Sequence, residues 1–544
     1  RFQFIFLFLI RFQFKFEYIK KIMIYFVLGI LKGDIKMDPV NVGLMSVLPP
    51  IIAIGLALIT KEVISSLLIG IFVGTFTYSY AAGKGFMGGI TTMFELMSKK
   101  MGENATMIIF LALLGVLVVL VTSAGGAQAY GRWASTKIKS KPMAQLATVL
   151  LGLIIFVDDY FNCLTVGTVM RPVTDRYRVS RAKLAYLIDS TAAPVCIIAP
   201  ISSWAAAVGA TLASAKIFKS DILAFVATIP YNLYALLTIT MIFIMALTKT
   251  SYGPMKKIER TAEIAELEKE LDEGEEGKVG DLLIPIITLI ILSILGMMYT
   301  GGFFGGDANL NFVKAFGNCN SPLALAMGGF GAILVTFLLY IPRKVMKFKE
   351  FMGQIYEGFQ LMIPAITILV LAWTISGVCR DLLNTGKFIS ELVKHGNFPM
   401  WLIPAIIFIV AAFLSFSMGT AWGTFGILVP IVILICQPSL STTPDLMTIS
   451  LAATLGGSVF GDHCSPISDT TILSSTGADC DHMEHVTTQI PYALTVAFAC
   501  VVGYLVGGWQ GYNMFVTLAT GFGTLLISLV VLNIIYKNKF DKAN

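Results

Sequence analysis

Long apolar runs separated by short polar loops fill most of the chain. From Leu44 they cover 44–60, 63–82, 106–124, 144–170, 184–213 and 222–247; after a polar stretch come 282–299, 323–341, 359–376, 401–437, 446–475, 488–507 and 514–536. Most have the length of a bilayer-crossing helix and are too long for alternating barrel strands. The pattern predicts an all-α polytopic membrane protein. Between the two series, residues 251–280 hold nine of the 33 acidic residues at helical spacing. That segment is too charged for lipid and reads as an acidic cytoplasmic linker.

The two series match in the order of their features. Each has two spans, an amphipathic piece (Met93 to Met101; Phe348 to Gly358), a third span, an over-long run and a Pro-interrupted run. PIIAIGLAL from Pro50 pairs with PIITLIILS from Pro285, and APISSW from Ala199 with SPISDT from Ser465. An internal duplication follows, with a first membrane repeat over 37–250 and a second over 281–544 that includes a C-terminal helix. Basic clusters at 132–141 and 171–183 flank the run 144–170. If both are cytoplasmic, that run must enter and return as a re-entrant hairpin with FVDDYFN near its tip. The uncharged run 401–437 then opens on the other side, so the repeats are inverted. This topology has about eleven transmembrane helices plus two re-entrant hairpins, with the C-terminus inside.

Composition narrows the classes further. Charged residues are 13% of a chain that is 56% hydrophobic, and the net charge of +6 sits in loop clusters without interleaved aromatics. Nucleic-acid binding has no support. The eight cysteines form no CxxC pair, which excludes a disulfide scaffold. Residues 1–36 read as a non-native or unstructured N-terminal extension. Lys and Arg interrupt its aromatic stretch, there is no small-residue cleavage site, and the natural start is expected near Met37.

Five carboxylates lie in the apolar runs: Asp158 and Asp159 at the first hairpin tip, Asp189 in the first broken segment, Asp462 and Asp469 in the second. A carboxylate in lipid is costly unless satisfied, so it reads as functional. Pro194, Pro200 and Pro466 remove backbone donors nearby and are expected to leave carbonyls for a small hard cation, together with Ser and Thr hydroxyls. SFSMGTAWGTFG from Ser415 supplies an uncharged second tip. Several blander readings stand beside these. Asp158 caps a half-helix, a membrane Pro only kinks, and the 479–485 segment with His482 and His485 is a solvated loop rather than a metal site.

GDHCSPISDTTILSS from Gly461 resembles the signature of NhaC-type sodium/proton antiporters, within the larger ion-transporter superfamily. FVDDYFNCLTVG, LIDSTAAPVCIIAPISSWAA and GTAWGTFGILVP are similar to that family's other blocks, in its order. The resemblance runs from about Leu48 to Tyr536. It implies exchange of cytoplasmic Na+ for protons, with relatives that couple ions to malate, lactate or amino acids. It also implies a scaffold carrying a transport domain of two hairpins and two broken helices.

The sequence therefore reads as a secondary antiporter, not an enzyme, of the cell (inner/plasma) membrane, needing no cofactor. Its partners are Na+ and H+, with Li+ or an organic solute as alternatives, the lipid bilayer, and a second copy as a homodimer. The expected ion ligands are Asp462, Asp469, Ser465, Ser468 and Thr470 on the second break and Asp189, Thr191, Ser202 and Ser203 on the first. Asp158, Asp159 and Asn162 follow, with Na+ itself at Asp462, Asp469 and Asp189. Proton and Na+ compete for the same buried carboxylates in this reading. No intramembrane Lys or Arg is expected to grip an organic carboxylate. The remaining rival, an intramembrane metal-assisted hydrolase built on His463, Cys464, His482 and His485, lacks any HExxH or GxSxG motif.

Overall fold

A computed structural model describes residues 37–60, 62–156, 158–199, 202, 204, 208, 221–248, 250–265, 277–305, 312–388, 391, 399–436, 439 and 444–541. The expectations for residues 1–36, Pro200 and Ser203 lie outside these. Among the described residues every regular element is helical. Among the described residues nine helices are long and apolar enough to cross a bilayer; a tenth crossing follows if Phe225–Tyr231 and Leu233–Thr248, bent by 55°, count as one.

The helix starts around the centre are written in the sequence as caps. A Ser or Asp in extended conformation accepts a bond from the amide three residues on, which satisfies a donor that the first helical turn leaves open. Ser140 does this for Met143 N, Asp158 for Phe161 N, Ser180 for Lys183 N and Ser468 for Thr471 N. Asp481 does the same for Glu484 N. These caps cut the over-long apolar runs into pieces. The run 144–170 becomes Lys141–Ile154 and Asp159–Arg176 at Asp158, while 401–437 becomes Ile403–Met418 and Ala421–Cys436 at the left-handed Gly419. The Pro-interrupted runs become Arg181–Thr191 followed by Ala193–Cys196, and Pro444–Cys464 followed by Asp469–Ala478.

The first hairpin goes out and returns. The Tyr177 hydroxyl donates to the Ile138 carbonyl, so the chain comes back to where it left. At the tip, Asn162 Nδ2 donates to Gly152 O, ten residues earlier, at 2.7 Å; a straight helix would hold those residues about 15 Å apart. The amphipathic piece at 348–358 is continuous with the following span, giving one helix, Phe348–Gly377.

Small residues let the helices approach closely, as membrane interfaces require in the absence of a hydrophobic drive between helices. Helices Ala105–Ser123 and Phe348–Gly377 meet at Gly115 and Gly358, where a Cβ on Gly115 would stand 2.4 Å from the Gly358 carbonyl oxygen. Ile403–Met418 and Pro444–Cys464 meet at Gly457 and Gly461 against the Phe408 and Ala412 carbonyls. The outer faces are apolar. In Ser321–Tyr340, Leu323, Met327, Phe330, Leu334 and Leu338 recur every three or four residues and are all exposed, as a lipid-facing stripe would be. The protein is an all-α, multi-pass membrane protein.

Candidate functional site

Both tips rest on the two breaks. Asn162 Nδ2 donates to the carbonyls of Gly152, Ile155 and Thr191, at 2.7, 2.8 and 3.0 Å, which pins the first tip to the first break. At the second tip, Gly419 turns the chain with φ +63°, and a Cβ there would lie 2.5 Å from the Ile467 carbonyl oxygen. Only glycine meets both demands at little cost. Ser465 Oγ donates to Phe416 O at 2.9 Å and Ser415 Oγ to Ser458 O at 2.6 Å, so the second tip is pinned to the second break.

The halves then cross. Helices Asp159–Arg176 and Asp469–Ala478 touch at Gly167 and Gly477, where a Cβ on Gly477 would lie 2.5 Å from Cys163 O. This places Tyr160 beside the second break, where its hydroxyl donates to Asp469 Oδ2 at 2.5 Å. Asp469 Oδ1 accepts from Thr470 N at 3.1 Å. Thr470 Oγ1 bonds Ser468 Oγ at 3.1 Å and donates to Asp462 Oδ2 at 3.3 Å. Asp462 is buried, and its other oxygen, Oδ1, has no hydrogen-bond partner. Asn162 Oδ1 is likewise buried without one. Asp462 lies within electrostatic reach of Asp469, Asp189 and Asp159. An oxygen-rich cluster with an unsatisfied acceptor on Asp462 and excess negative charge suits a small hard cation.

A cavity of about 660 Å³ reaches this cluster. Asp158, Asp159, Tyr160 and Asp469 line it, with Trp373, Trp422, Gly419 and Thr420. Glu103, Asn104 and residues 318–322 complete its wall, together with Lys100 and Arg380. The sequence reading expected no intramembrane Lys or Arg to grip an organic carboxylate; these two cations stand on the cavity wall. Lys100 comes from the amphipathic helix Gly85–Glu103 and Arg380 from a short π-helical turn, so neither sits in a run that the apolar pattern marks. Both are engaged: Lys100 Nζ pairs with Glu103 at 2.7 Å and Asp381 at 2.8 Å, and Arg380 Nε with Asp381 at 2.8 Å.

The other expected ligands are placed differently. Asp189 is buried, and its Oδ2 accepts from Gln489 Nε2 at 2.6 Å, His485 Nε2 at 3.3 Å and Thr471 Oγ1 at 3.4 Å, with His463 Nε2 at 3.8 Å. It does not line the cavity. Thr191 Oγ1 donates to Leu187 and Ile188 carbonyls of its own helix, and Ser202 Oγ to Cys196 and Ala199 carbonyls. Asp158 caps its half-helix, as the blander reading had it, and also faces the cavity.

Two further corrections concern the breaks. The Pro466 carbonyl is bonded to His482 Nε2 at 2.8 Å, and Gln489 donates to the His463 carbonyl. The carbonyl that Pro466 deprives of its helical donor, Asp462 O, is taken as well, by Ser465 N at 2.9 Å and Thr471 Oγ1 at 3.5 Å, so at this break internal donors fill what the sequence argument left for a cation. Only the start of the 479–485 segment is a solvated turn, with Asp479 and Asp481 exposed; helix His482–Trp509 follows, and His485 is fully buried against Asp189 and Ser474. Sequence reasoning missed Tyr160, Thr471 and Gln489, and weighed His485 only for a metal site or a solvated loop. The available signal was the same as for the aspartates: polar side chains inside or beside apolar runs.

The sequence profile of the Na+/H+ antiporter family matches residues 195–509, which include the second hairpin and the second break. An uncharacterized protein of Haemophilus influenzae is 40% identical, covering 90% of this chain and 94% of its own. The malate-2H(+)/Na(+)-lactate antiporter of Bacillus subtilis is 29% identical over 34% of this chain and 39% of its own. An uncharacterized Na(+)/H(+) antiporter of Haemophilus influenzae is 28% identical over 28% and 32%. The resemblance carried by GDHCSPISDTTILSS is borne out. With its pinned tips and its carboxylates at the end of an open cavity, this chain is an antiporter that belongs to the Na+/H+ antiporter family.

Proposed function

We propose that the protein exchanges cytoplasmic Na+ for external H+ across the cell membrane, with Asp469 and Asp462 as the ion-binding pair and Asp159 beside them. The observation that carries this reading is the arrangement on the second break. Asp469 faces the cavity, Thr470 links it to Asp462, and Asp462 Oδ1 is a buried acceptor with no partner. A Na+ entering by the cavity gains carboxylate oxygens and the Ser468 and Thr470 hydroxyls in place of its water. A proton on either carboxylate removes the charge that holds the ion. Occupation by one ion therefore excludes the other, which is what coupled exchange requires.

Hairpin tips and broken helices let such a site face either side in turn. By the basic loops, the cavity mouth at 103–104, 318–322 and 380 lies outside, and 132–141 with 171–183 inside. A single cysteine placed at Lys139 or Arg178 should react only from the cytoplasm; labelling of the two from opposite sides would remove the re-entrant hairpin. The function is tested in proteoliposomes holding an imposed pH gradient, read by a pH-sensitive dye. Na+ should collapse the gradient and K+ should not. Proton flux that persists without any counter-ion would overturn the reading.

One observation favours a second reading. At about 660 Å³ the cavity greatly exceeds a bare ion, a water occupying about 30 Å³ in the liquid, and Lys100 and Arg380 stand on its wall. An organic anion counter-transported with the ions fits that space, as the name of the Bacillus subtilis relative describes for that protein. Adding malate or lactate to the same assay distinguishes the two.

A further inference from the structure

Away from the cavity, a second polar cluster ties together segments that carry the site. Helix Asp159–Arg176 begins at the carboxylates and runs 18 residues, about 27 Å, before Ser180 is reached. Helix Ala105–Ser123 likewise begins beside Asn104 at the cavity and leads into helix Gly126–Lys137, whose Gly131 packs against Pro172 near the far end of Asp159–Arg176. The cluster around Ser180 and Lys141 therefore lies across the ion site from the cavity mouth.

Its hub is Glu259, from the linker helix Gly253–Ala265, and it is buried. Glu259 Oε1 accepts from Ser180 N at 3.1 Å and Ser180 Oγ at 3.2 Å, and Oε2 pairs with Lys141 Nζ at 3.2 Å. Lys141 opens the first hairpin, and Ser180 caps the first broken segment. The adjacent Arg181 donates to Ala478 O at 2.9 Å and pairs with Asp175 Oδ2 at 2.9 Å. It thereby adds the end of the second break's helix and the end of the hairpin. The linker start is held as well. Tyr252 N donates to Tyr492 Oη and Tyr492 Oη to Tyr252 O, both at 3.0 Å, while Lys183 Nζ sits 5.5 Å from the Tyr492 ring centre.

An acidic linker helix with no contact to the site would be only a tether. This one places a carboxylate at a helix N-terminus, where unpaired amides and the helix dipole favour negative charge. We propose that the linker helix is a clamp on the closed side of the transporter: Glu259 holds the first hairpin and the first broken segment together, and the site opens to that side only when Glu259 leaves Ser180 and Lys141. The clamp rests on the antiporter reading, since opening to a second side has meaning only for a transporter.

The Ser180 amide reports the contact directly, because Glu259 Oε1 is its acceptor. Hydrogen exchange of the full-length protein in lipid nanodiscs is compared for wild type and Glu259→Ala. The clamp requires at least tenfold faster exchange at Ser180 and, with it, faster exchange across 181–185 and 476–480. Acceleration confined to Ser180 and the linker, with 476–480 unchanged, would overturn it and leave a local cap. If Glu259→Ala does not fold, Lys141→Gln, which removes one leg of the contact, decides by the same pattern at smaller amplitude. The readout does not depend on which ion is carried. Exchange coupling without ion-driven pH change would sink the sodium/proton reading and keep the clamp, and the reverse would sink the clamp alone.

Discussion

The two breaks share a local recipe, an Asp, hydroxyls and a Pro-Ile-Ser sequence, yet tertiary contacts give them different work. On the first break, Asp189 is enclosed by donors that all come from the second half: Gln489, His485 and Thr471. On the second, Asp469 has one donor from the first half, Tyr160, and an open cavity on its other side, and Asp462 keeps an oxygen unpaired. A satisfied buried carboxylate holds structure together, while an unsatisfied one can take a ligand. The same chemistry in sequence therefore becomes a satisfied anchor in one half and, in the proposed mechanism, the ion site in the other.

The contrast is sharpest in its largest expected effect. Asp462→Asn and Asp469→Asn keep shape but remove charge, and each should lower Na+-driven proton flux by orders of magnitude with normal amounts of folded protein. Flux surviving both substitutions would move the ion site to Asp158 and Asp159. Asp189→Ala should do the opposite. It strands donors in the interior at roughly 1 to 3 kcal/mol each, so thermal stability in detergent falls steeply, and Asp189→Asn, which still accepts hydrogen bonds, recovers most of it. An Asp189→Ala protein as stable as wild type but inactive would make the first break an ion site too.

A shared site also fixes the direction of the pH effect. As pH falls through the titration range of the carboxylates, protons displace Na+, and half-saturating Na+ should rise about tenfold per pH unit for one titrating group, since one unit is about 1.4 kcal/mol. Two interacting carboxylates make the slope steeper and give apparent values that belong to the pair. The measurement is Na+ titration of transport at fixed pH steps; a flat affinity would separate the proton and sodium sites. The smallest effect is expected from Tyr160→Phe, which removes one hydrogen bond to Asp469. At about 1 kcal/mol, it should shift half-saturating Na+ several-fold and leave maximal flux nearly unchanged.

Much of the architecture was legible because its causes are local. Bilayer thickness sets the length of apolar runs, so the spans read directly from the pattern. Caps such as Ser140, Asp158, Ser180 and Ser468 mark where over-long runs must be cut, since each supplies an acceptor that an interrupted helix needs. Carboxylates in apolar runs pointed to the candidate site, and the fifteen residues from Gly461 announced the family. By itself, then, the sequence determined the membrane class, the helix segmentation and the short list of carboxylates. Only the tertiary structure decided which Asp is enclosed and which is open. That depends on donors hundreds of residues away: Gln489 reaches Asp189 and Tyr160 reaches Asp469. The same holds for Lys100 and Glu259, polar residues in segments the apolar pattern passes over, which act through pairings with Asp381 and Lys141 set by how the helices pack.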